Sequence, residues 1–108
     1  MSKKVAFDAT LQKCKRILED HYRSRLKGLI LFGSSARGDA GPGSDIDLLV
    51  LLDQPFEYFQ ELRTIIELLY PIQLESDRLI SAKPVPVDEF KQGTIQLYRI
   101  AQREGIWL

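Results

Sequence analysis

Two acids in the middle of the chain, Asp45 and Asp47, stand in an otherwise apolar run that continues to Leu52. A run of this composition predicts a central strand that is buried on both faces. Because side chains two residues apart in a strand point to the same side, the two carboxylates should project together while Ile46 enters the core. Their repulsion and partial burial are costly unless a cation lies between them. The pair therefore predicts a magnesium site with room for phosphate oxygens.

A glycine and a serine, Gly33 and Ser34, precede Asp45 with ten residues in between. Gly33 allows the backbone to approach a ligand closely, and Ser34 offers a hydroxyl and an N–H group to phosphate oxygens. If residues 35–37 form a helical turn, its free N–H groups face the same anion, and Arg37 balances the charge of a triphosphate. These residues predict a phosphate subsite next to the metal.

The elements that must position these residues follow from the spacing of apolar side chains. A first helix is predicted from a cap at Asp8 or Thr10 to about Leu26, with Gly28 ending it. Strands are predicted at residues 29–32, 45–52 and 78–83. Residues 33–44 carry four of the seven glycines, which indicates a loop between the first two strands.

Two further helices are predicted after the acidic strand. One starts near Asp53 and Pro55 and is stopped by Pro71, and the last runs from Asp88 to a cap at Gly105. The apolar end, residues 106–108, is expected to cover a sheet edge or a partner. The order α-β-loop-β-α-β-α predicts an α/β (α+β) protein, a small mixed sheet flanked by helices, in a single domain spanning residues 1–108.

The net charge is zero, but the charges are unevenly distributed: residues 1–27 carry eight basic and three acidic residues, and residues 39–77 carry nine acids and one arginine. A neutral total argues against strong general nucleic-acid binding. No apolar run is long enough to span a membrane, and no signal-peptide pattern is present. The single cysteine, Cys14, is expected to be a buried thiol in a cytoplasmic protein.

The segment GSSARGDAGPGSDIDLLVLL, residues 33–52, resembles the signature of the DNA polymerase beta-like nucleotidyltransferases. It is most similar to the stand-alone minimal nucleotidyltransferases (MNT) of prokaryotes, as is the ending YRIAQREGIWL. The resemblance implies a polymerase-beta-like core and two-metal nucleotidyl transfer from ATP or another NTP. In that scheme Asp45 and Asp47 bind the two Mg²⁺ ions, and Gly33 and Ser34 hold the β- and γ-phosphates.

The family pattern also has a third carboxylate at the start of the following strand, which binds the metal that activates the attacking hydroxyl. Asp77, at the start of the predicted third strand, is our assignment, and Glu75 is the alternative. Neither is flanked by apolar residues on both sides, which departs from the family pattern. If the third ligand were missing, NTP binding would survive while catalysis became slow or was lost.

The resemblance further implies a partner. Larger relatives select the acceptor with an extra domain, for which this chain has no room, so another molecule must present the hydroxyl. The MNT resemblance implies a HEPN-type toxin that is AMPylated on a tyrosine by its antitoxin. The alternative is a catalytically weak or inactive module that neutralises the partner by direct contact. The sequence leaves open the base of the NTP, the acceptor and any homo-oligomer.

Overall fold

The computed structural model describes the backbone of residues 3–33 and 45–108 and the side chains of residues 9–33 and 45–108. Its elements in chain order are α1 (Lys3–Tyr22), a 3-10 turn (Arg23–Arg25), β1 (Leu26–Phe32), β2 (Ile46–Leu52), α2 (Tyr58–Glu75), β3 (Ile80–Pro86), α3 (Val87–Gln92), α4 (Gln96–Glu104) and β4 (Ile106–Trp107). None of the described helices is both long and apolar enough to cross a membrane.

The four described strands form one mixed sheet in the order β3-β2-β1-β4. β1 pairs antiparallel with β2 and with β4, whereas β2 pairs parallel with β3. β2 therefore lies inside the sheet, and its residues from Leu48 to Leu52 are all buried. The small mixed sheet with flanking helices confirms the predicted fold class.

The two faces of the sheet pack against different helices, and β2 supplies both cores in alternation. Leu48 and Val50 belong to the core that includes side chains of α1 and α2. Leu49 and Leu51 belong to the smaller core that includes Phe90 of α3 and residues of α4. Because side chains alternate along a strand, Asp47 lies on the same face of the sheet as Leu49 and Leu51. It is near the N-terminal end of β2.

The first helix differs from its prediction at both ends. It already includes Lys3, so the helix is not capped at Asp8 or Thr10, and it ends at Tyr22. Gly28 does not end the helix but lies within β1, where a Cβ atom would collide with the ring of Trp107. Cys14 is fully buried, as predicted, and burial raises the pKa of its thiol to about 11.

The prediction that Pro71 ends the second helix is wrong, because α2 continues to Glu75. Proline costs about 3 kcal/mol inside a helix. Leu69 and Ile72, on either side of it, are buried, and each such side chain contributes roughly 1.5–3 kcal/mol. Burial of the helix face therefore offsets the lost hydrogen bond. The helix also starts later than predicted, at Tyr58, where the Glu57 carboxylate accepts a hydrogen bond from the Gln60 N–H (2.6 Å).

The predicted last helix is two helices, α3 and α4, separated at Gly93, which has a positive φ of 66°. Gly105 caps α4 as predicted. The chain then turns back along β1 as β4, and the Leu108 N–H donates to the Leu29 carbonyl (2.8 Å). This pairing confirms that the apolar C-terminal residues cover a sheet edge.

Candidate active site

The two acids of the sequence motif lie at the N-terminal end of β2. Asp45 is exposed and immediately precedes the strand, Ile46 is fully buried, and Asp47 is half-buried. Burial, followed by the negative charge of Asp45, raises the pKa of the Asp47 carboxyl, whereas the charge of Lys83 lowers it. The ionised form of Asp47 is therefore disfavoured where it stands, and a bound cation would relieve this.

Gly33 follows β1 directly and lies beside this carboxylate. Phe32 is the register partner of Asp47 in the antiparallel pair, and Gly33 comes one residue later with a φ of 79°. A Cβ atom at Gly33 would lie 2.8 Å from Oδ2 of Asp47. The glycine is thus required twice, for its left-handed backbone and for the space that the Asp47 carboxylate occupies.

The other two predicted phosphate ligands, Ser34 and Arg37, lie outside the described residues, as does the rest of the segment 34–44. Their roles in phosphate binding stay predictions. What the structure does establish is that this segment connects Gly33, at the end of β1, to Asp45, at the start of β2. The motif therefore begins and ends at the same end of the β1–β2 pair, where β1 finishes and β2 starts.

The structure adds two residues of β3 that the sequence analysis did not single out. In the parallel pairing of β2 with β3, Ser81 is the register partner of Asp47. Lys83 follows two residues later on the same side of the strand, near enough for its charge to act on Asp47. The alternation of Ser81 and Lys83 with Ile80 and Ala82 is a visible signal of a strand. The sequence contains no signal for the register that brings Ser81 to Asp47.

Asp77 does not begin the third strand, contrary to the prediction, and its role as the third metal ligand stays a prediction. It is exposed and lies in a bend three residues before β3 starts at Ile80. Gln73 of α2 holds the end of this bend, since its amide donates to the Arg78 carbonyl (2.9 Å) and accepts from the Ile80 N–H (2.7 Å). The side chain next to Asp47 on β3 is therefore Ser81.

The alternative third ligand, Glu75, is also directed elsewhere. It lies in the last turn of α2 and forms an exposed ion pair with Lys13 of α1 (3.1 Å). Within the described residues, no group of three His, Cys, Asp or Glu side chains is arranged to hold a metal ion. The described part of the site thus brings together Gly33, Asp45 and Asp47 but neither of the two candidate third carboxylates.

Two carboxylates projecting from one strand suit a Mg²⁺ ion that takes its remaining ligands from phosphate oxygens and water. The raised pKa of Asp47 supports this fit, because burial and then the charge of Asp45 disfavour the ionised carboxylate, which a bound cation would stabilise. On the β3 side of Asp47, the same face of the sheet carries Ser81 and Lys83. A polyphosphate beside Asp47 would therefore meet a hydroxyl and a cation.

The chain is similar to known nucleotidyltransferases. Residues 11–105 match the family model described as nucleotidyltransferase domain. MJ0604 of Methanocaldococcus jannaschii is 43% identical over 70 residues, which cover 61% of this chain and 70% of the relative. MJ1379 of the same organism is 40% identical over 76 residues, covering 69% of this chain and 74% of the relative. The names of both give protein adenylyltransferase as an inferred activity.

Two solved structures share the fold. The spectinomycin adenyltransferase AAD(9) of an Enterococcus, solved with ATP and spectinomycin, matches with a TM-score of 0.69 and 20% identity. The match covers 93% of this chain, which spans about half (54%) of that one. A toxin–antitoxin structure with AMP-PNP matches with a TM-score of 0.55 and 20% identity, covering 89% of this chain and 69% of that one.

Proposed function

Because this chain belongs to the nucleotidyltransferase family, we propose that it is a magnesium-dependent enzyme that transfers AMP from ATP to a hydroxyl group of a partner protein. The observation that carries the proposal is the placement of Asp47. Its carboxylate is half-buried beside Asp45 and occupies the space that a Cβ atom at Gly33 would need, at the point where the glycine-rich segment leaves β1. This arrangement raises the pKa of Asp47 and is therefore unfavourable for the ionised carboxylate, which indicates a site that binds a ligand.

The protein groups have distinct tasks in this scheme. Asp45 and Asp47 would hold the magnesium, which supplies charge neutralisation and orientation for the attack of a hydroxyl on the α-phosphate. Gly33 keeps the backbone clear of the Asp47 carboxylate, and Ser34 and Arg37 are proposed to bind the β- and γ-phosphates. Lys83 provides a further positive charge on the same side of the sheet, where it offsets the charge of Asp47. The transfer leaves pyrophosphate and an AMP–oxygen ester on the acceptor.

Two comparisons support a protein as the acceptor. Relatives that share about two-fifths of their aligned residues with this chain are named for protein adenylylation. A structural neighbour comes from a toxin–antitoxin complex. Together with the MNT resemblance of residues 33–52, these support a HEPN-type toxin as the partner, with a tyrosine as acceptor. We place the pair in the cytoplasm, where the buried thiol of Cys14 would stay reduced.

The test is transfer of label from ATP carrying ³²P at the α-phosphate, with Mg²⁺ and the candidate toxin present. Wild-type protein should label the toxin and lower its activity, whereas Asp47→Asn should reduce the rate about 100-fold or more. Asp53→Asn is the matched control. It changes the same residue type at the opposite end of β2, where the Asp53 carboxylate forms an exposed ion pair with Lys27 (3.3 Å). A wild-type protein that labels no protein would contradict the proposal.

A second candidate function rests on Ser81. Because Asp47 faces a serine and not a carboxylate on β3, the site would bind nucleotide with slow or absent transfer, and the protein would neutralise its partner by contact. The double variant Asp45→Ala/Asp47→Ala separates the two functions. If it still inhibits the toxin at a stoichiometric ratio while no label is transferred by wild type, the binding module is correct.

A further inference from the structure

The outward face of α2 carries an apolar stripe that the fold does not use. Phe59, Ile66, Tyr70 and Leu74 recur at helical spacing, and each is more than half exposed. They point away from the helix face that buries Ile65, Leu69 and Ile72 in the core. We call these four residues the ridge. Isolated exposed apolar residues are ordinary, but four aligned on one helix form a patch of the kind that marks an interface.

A groove runs beside the ridge, between α2 and the edge strand β3. It has a volume of about 280 Å³, and its walls include Ile66 and Tyr70 of the ridge and Leu79, Ile80 and Ala82 of the strand side. Leu79 is itself 57% exposed. The ridge and the groove therefore adjoin each other on one surface. Together they form one continuous apolar surface, and a twofold-symmetric interface uses the same surface on both copies.

We propose that this surface is a homodimer interface, in which two copies of α2 pack antiparallel about a twofold axis. The ridge is symmetric along the helix: with the axis between positions 66 and 67, Phe59 faces Leu74 of the second copy. The same operation brings each Ile66 close to the other at the centre. Arg63, which lies between Phe59 and Ile66 on the exposed side, faces Tyr70 of the second copy, an arrangement suited to a cation–π contact.

The charges beside the ridge favour a second copy as the occupant. Arg63 and Glu67 are exposed and lie on the same flank of the ridge. A twofold axis perpendicular to the helices places equivalent residues of the two copies on the same flank. Each Arg63 therefore lies on the same flank as Glu67 of the other copy, displaced from it along the helix by about one turn. Two such pairs of opposite sign form in the dimer, and the formal net charge of zero on each chain adds no long-range repulsion.

The exposed area is near the lower limit for a specific interface. Ridge residues and Leu79 are each between 56% and 71% exposed. With roughly 150–250 Å² for a large side chain, the five expose on the order of 600 Å² per copy, against about 800 Å² per partner in a standard interface. Flanking parts of α2 would supply the remainder. This predicts a dimer that dissociates at low concentration, not an obligate one.

Pairing through the edge of β3 is a less suitable mode for this surface. Pro84 and Pro86 occupy the second half of the strand and have no N–H group to donate to an added strand. Both residues pair in register with β2 on the inner side of β3. Contact through side chains of α2 and the groove therefore fits the structure better than extension of the sheet into a second copy.

The experiment is sedimentation equilibrium on the whole chain across a concentration series. Wild type should change from the 12.4 kDa chain mass to twice that mass as concentration rises, and Tyr70→Glu should remain monomeric. Ile95→Glu is the matched control, since Ile95 is an exposed apolar residue outside the ridge, and it should dimerise as wild type does. Circular dichroism confirms that each variant is folded. A wild type that stays monomeric up to about 100-fold the concentration used for the activity assay would overturn the proposal.

A charge exchange tests the antiparallel register without removing apolar surface. Arg63→Glu alone and Glu67→Arg alone each place like charges together and should weaken dimerisation about tenfold, which corresponds to about 1.4 kcal/mol. The double variant Arg63→Glu/Glu67→Arg restores both charge pairs but not the contact of Arg63 with Tyr70, so it should dimerise more tightly than either single variant. A double variant that dimerises no more tightly than the single variants would contradict the register.

The surface could instead bind the toxin. A ridge variant that loses toxin binding, while wild type is monomeric, would assign the surface to the toxin and overturn the dimer. Asp45→Ala/Asp47→Ala should still dimerise, so loss of transfer and loss of dimerisation are separate outcomes.

Discussion

The carboxylate of Asp47 occupies the space that a side chain at Gly33 would need, since a Cβ atom there would stand 2.8 Å from its Oδ2 atom. This relation couples the end of β1 to the end of β2 that carries Asp47. It explains why glycine is needed at position 33, the first residue of the glycine-rich motif, even without a bound nucleotide. The geometry also suggests substitutions that separate folding from transfer.

Gly33→Ala is expected to move the Asp47 carboxylate and to strain the backbone at a φ of 79°. The free energy of unfolding should fall by about 1–2 kcal/mol, and the transfer rate about 100-fold, because displacement of a ligand by about 1 Å has an effect of that size. Gly93→Ala is the matched control, with a φ of 66° and a Cβ position 2.9 Å from Cγ of Arg99. It should lose similar stability in a denaturant titration while its transfer rate stays near wild type. Equal loss of activity in both variants would show that strain alone explains the effect.

Ser81→Asp is expected to complete a three-carboxylate cluster, because Ser81 is in register with Asp47 on the parallel strand β3. The affinity for Mn²⁺ in the presence of a non-hydrolysable ATP analogue should rise about tenfold, measured by electron paramagnetic resonance of free Mn²⁺. Ser81→Asn has a similar size without the charge and should bind Mn²⁺ as wild type does. Weaker binding by Ser81→Asp would mean that position 81 does not face the metal.

Asp77→Asn should leave the transfer rate within about twofold of wild type, as is usual for a surface substitution away from a site. Asp77 is exposed in the bend before β3, and the described residues hold no three-member ligand cluster that includes it. Initial rates at saturating ATP and Mg²⁺ provide the measurement. A loss comparable to that of Asp47→Asn would restore Asp77 as the third ligand and would require the bend to rearrange on nucleotide binding.

Asp47→Asn is expected to make the metal-free protein more stable near neutral pH. The pKa of Asp47 in the folded protein is raised above the ordinary value of 3.8, which applies to the unfolded chain. In the pH window between the unfolded and the folded pKa, the folded protein therefore binds more protons than the unfolded chain. Stability from this group is therefore lost as pH rises through that window, and the loss persists above it. The stability difference between the variant and wild type should grow as pH rises from the ordinary value and then level off.

Urea titrations of metal-free wild type and Asp47→Asn over an acidic-to-neutral pH series measure this difference. Asp53→Asn again serves as control, and its small effect should be a loss of stability from the exposed ion pair with Lys27. Added Mg²⁺ and ATP should then stabilise wild type and not Asp47→Asn. An Asp47→Asn protein that is less stable than wild type throughout the series would show that the carboxylate makes net favourable contacts without metal.

The sequence alone determined the part of the site that depends on local geometry. Asp45 directly precedes β2 and Asp47 lies two residues later, so the alternation of extended backbone predicts that the two side chains project together. The near-continuous apolar run that ends at Leu52 predicted that β2 is buried on both faces, which its packing confirms. The buried thiol of Cys14 followed in the same way from helical spacing.

Only the tertiary structure decided which groups meet across strands. The register of β2 and β3 places Ser81 at Asp47 and leaves Asp77 in the preceding bend, and no local pattern encodes that offset. Pro71 lies inside α2 because the burial of Leu69 and Ile72 outweighs its local preference to end a helix. The physical reason is the same in both cases: pairing and packing sum contributions from residues far apart in the chain, whereas side-chain periodicity is set by the covalent geometry of each segment.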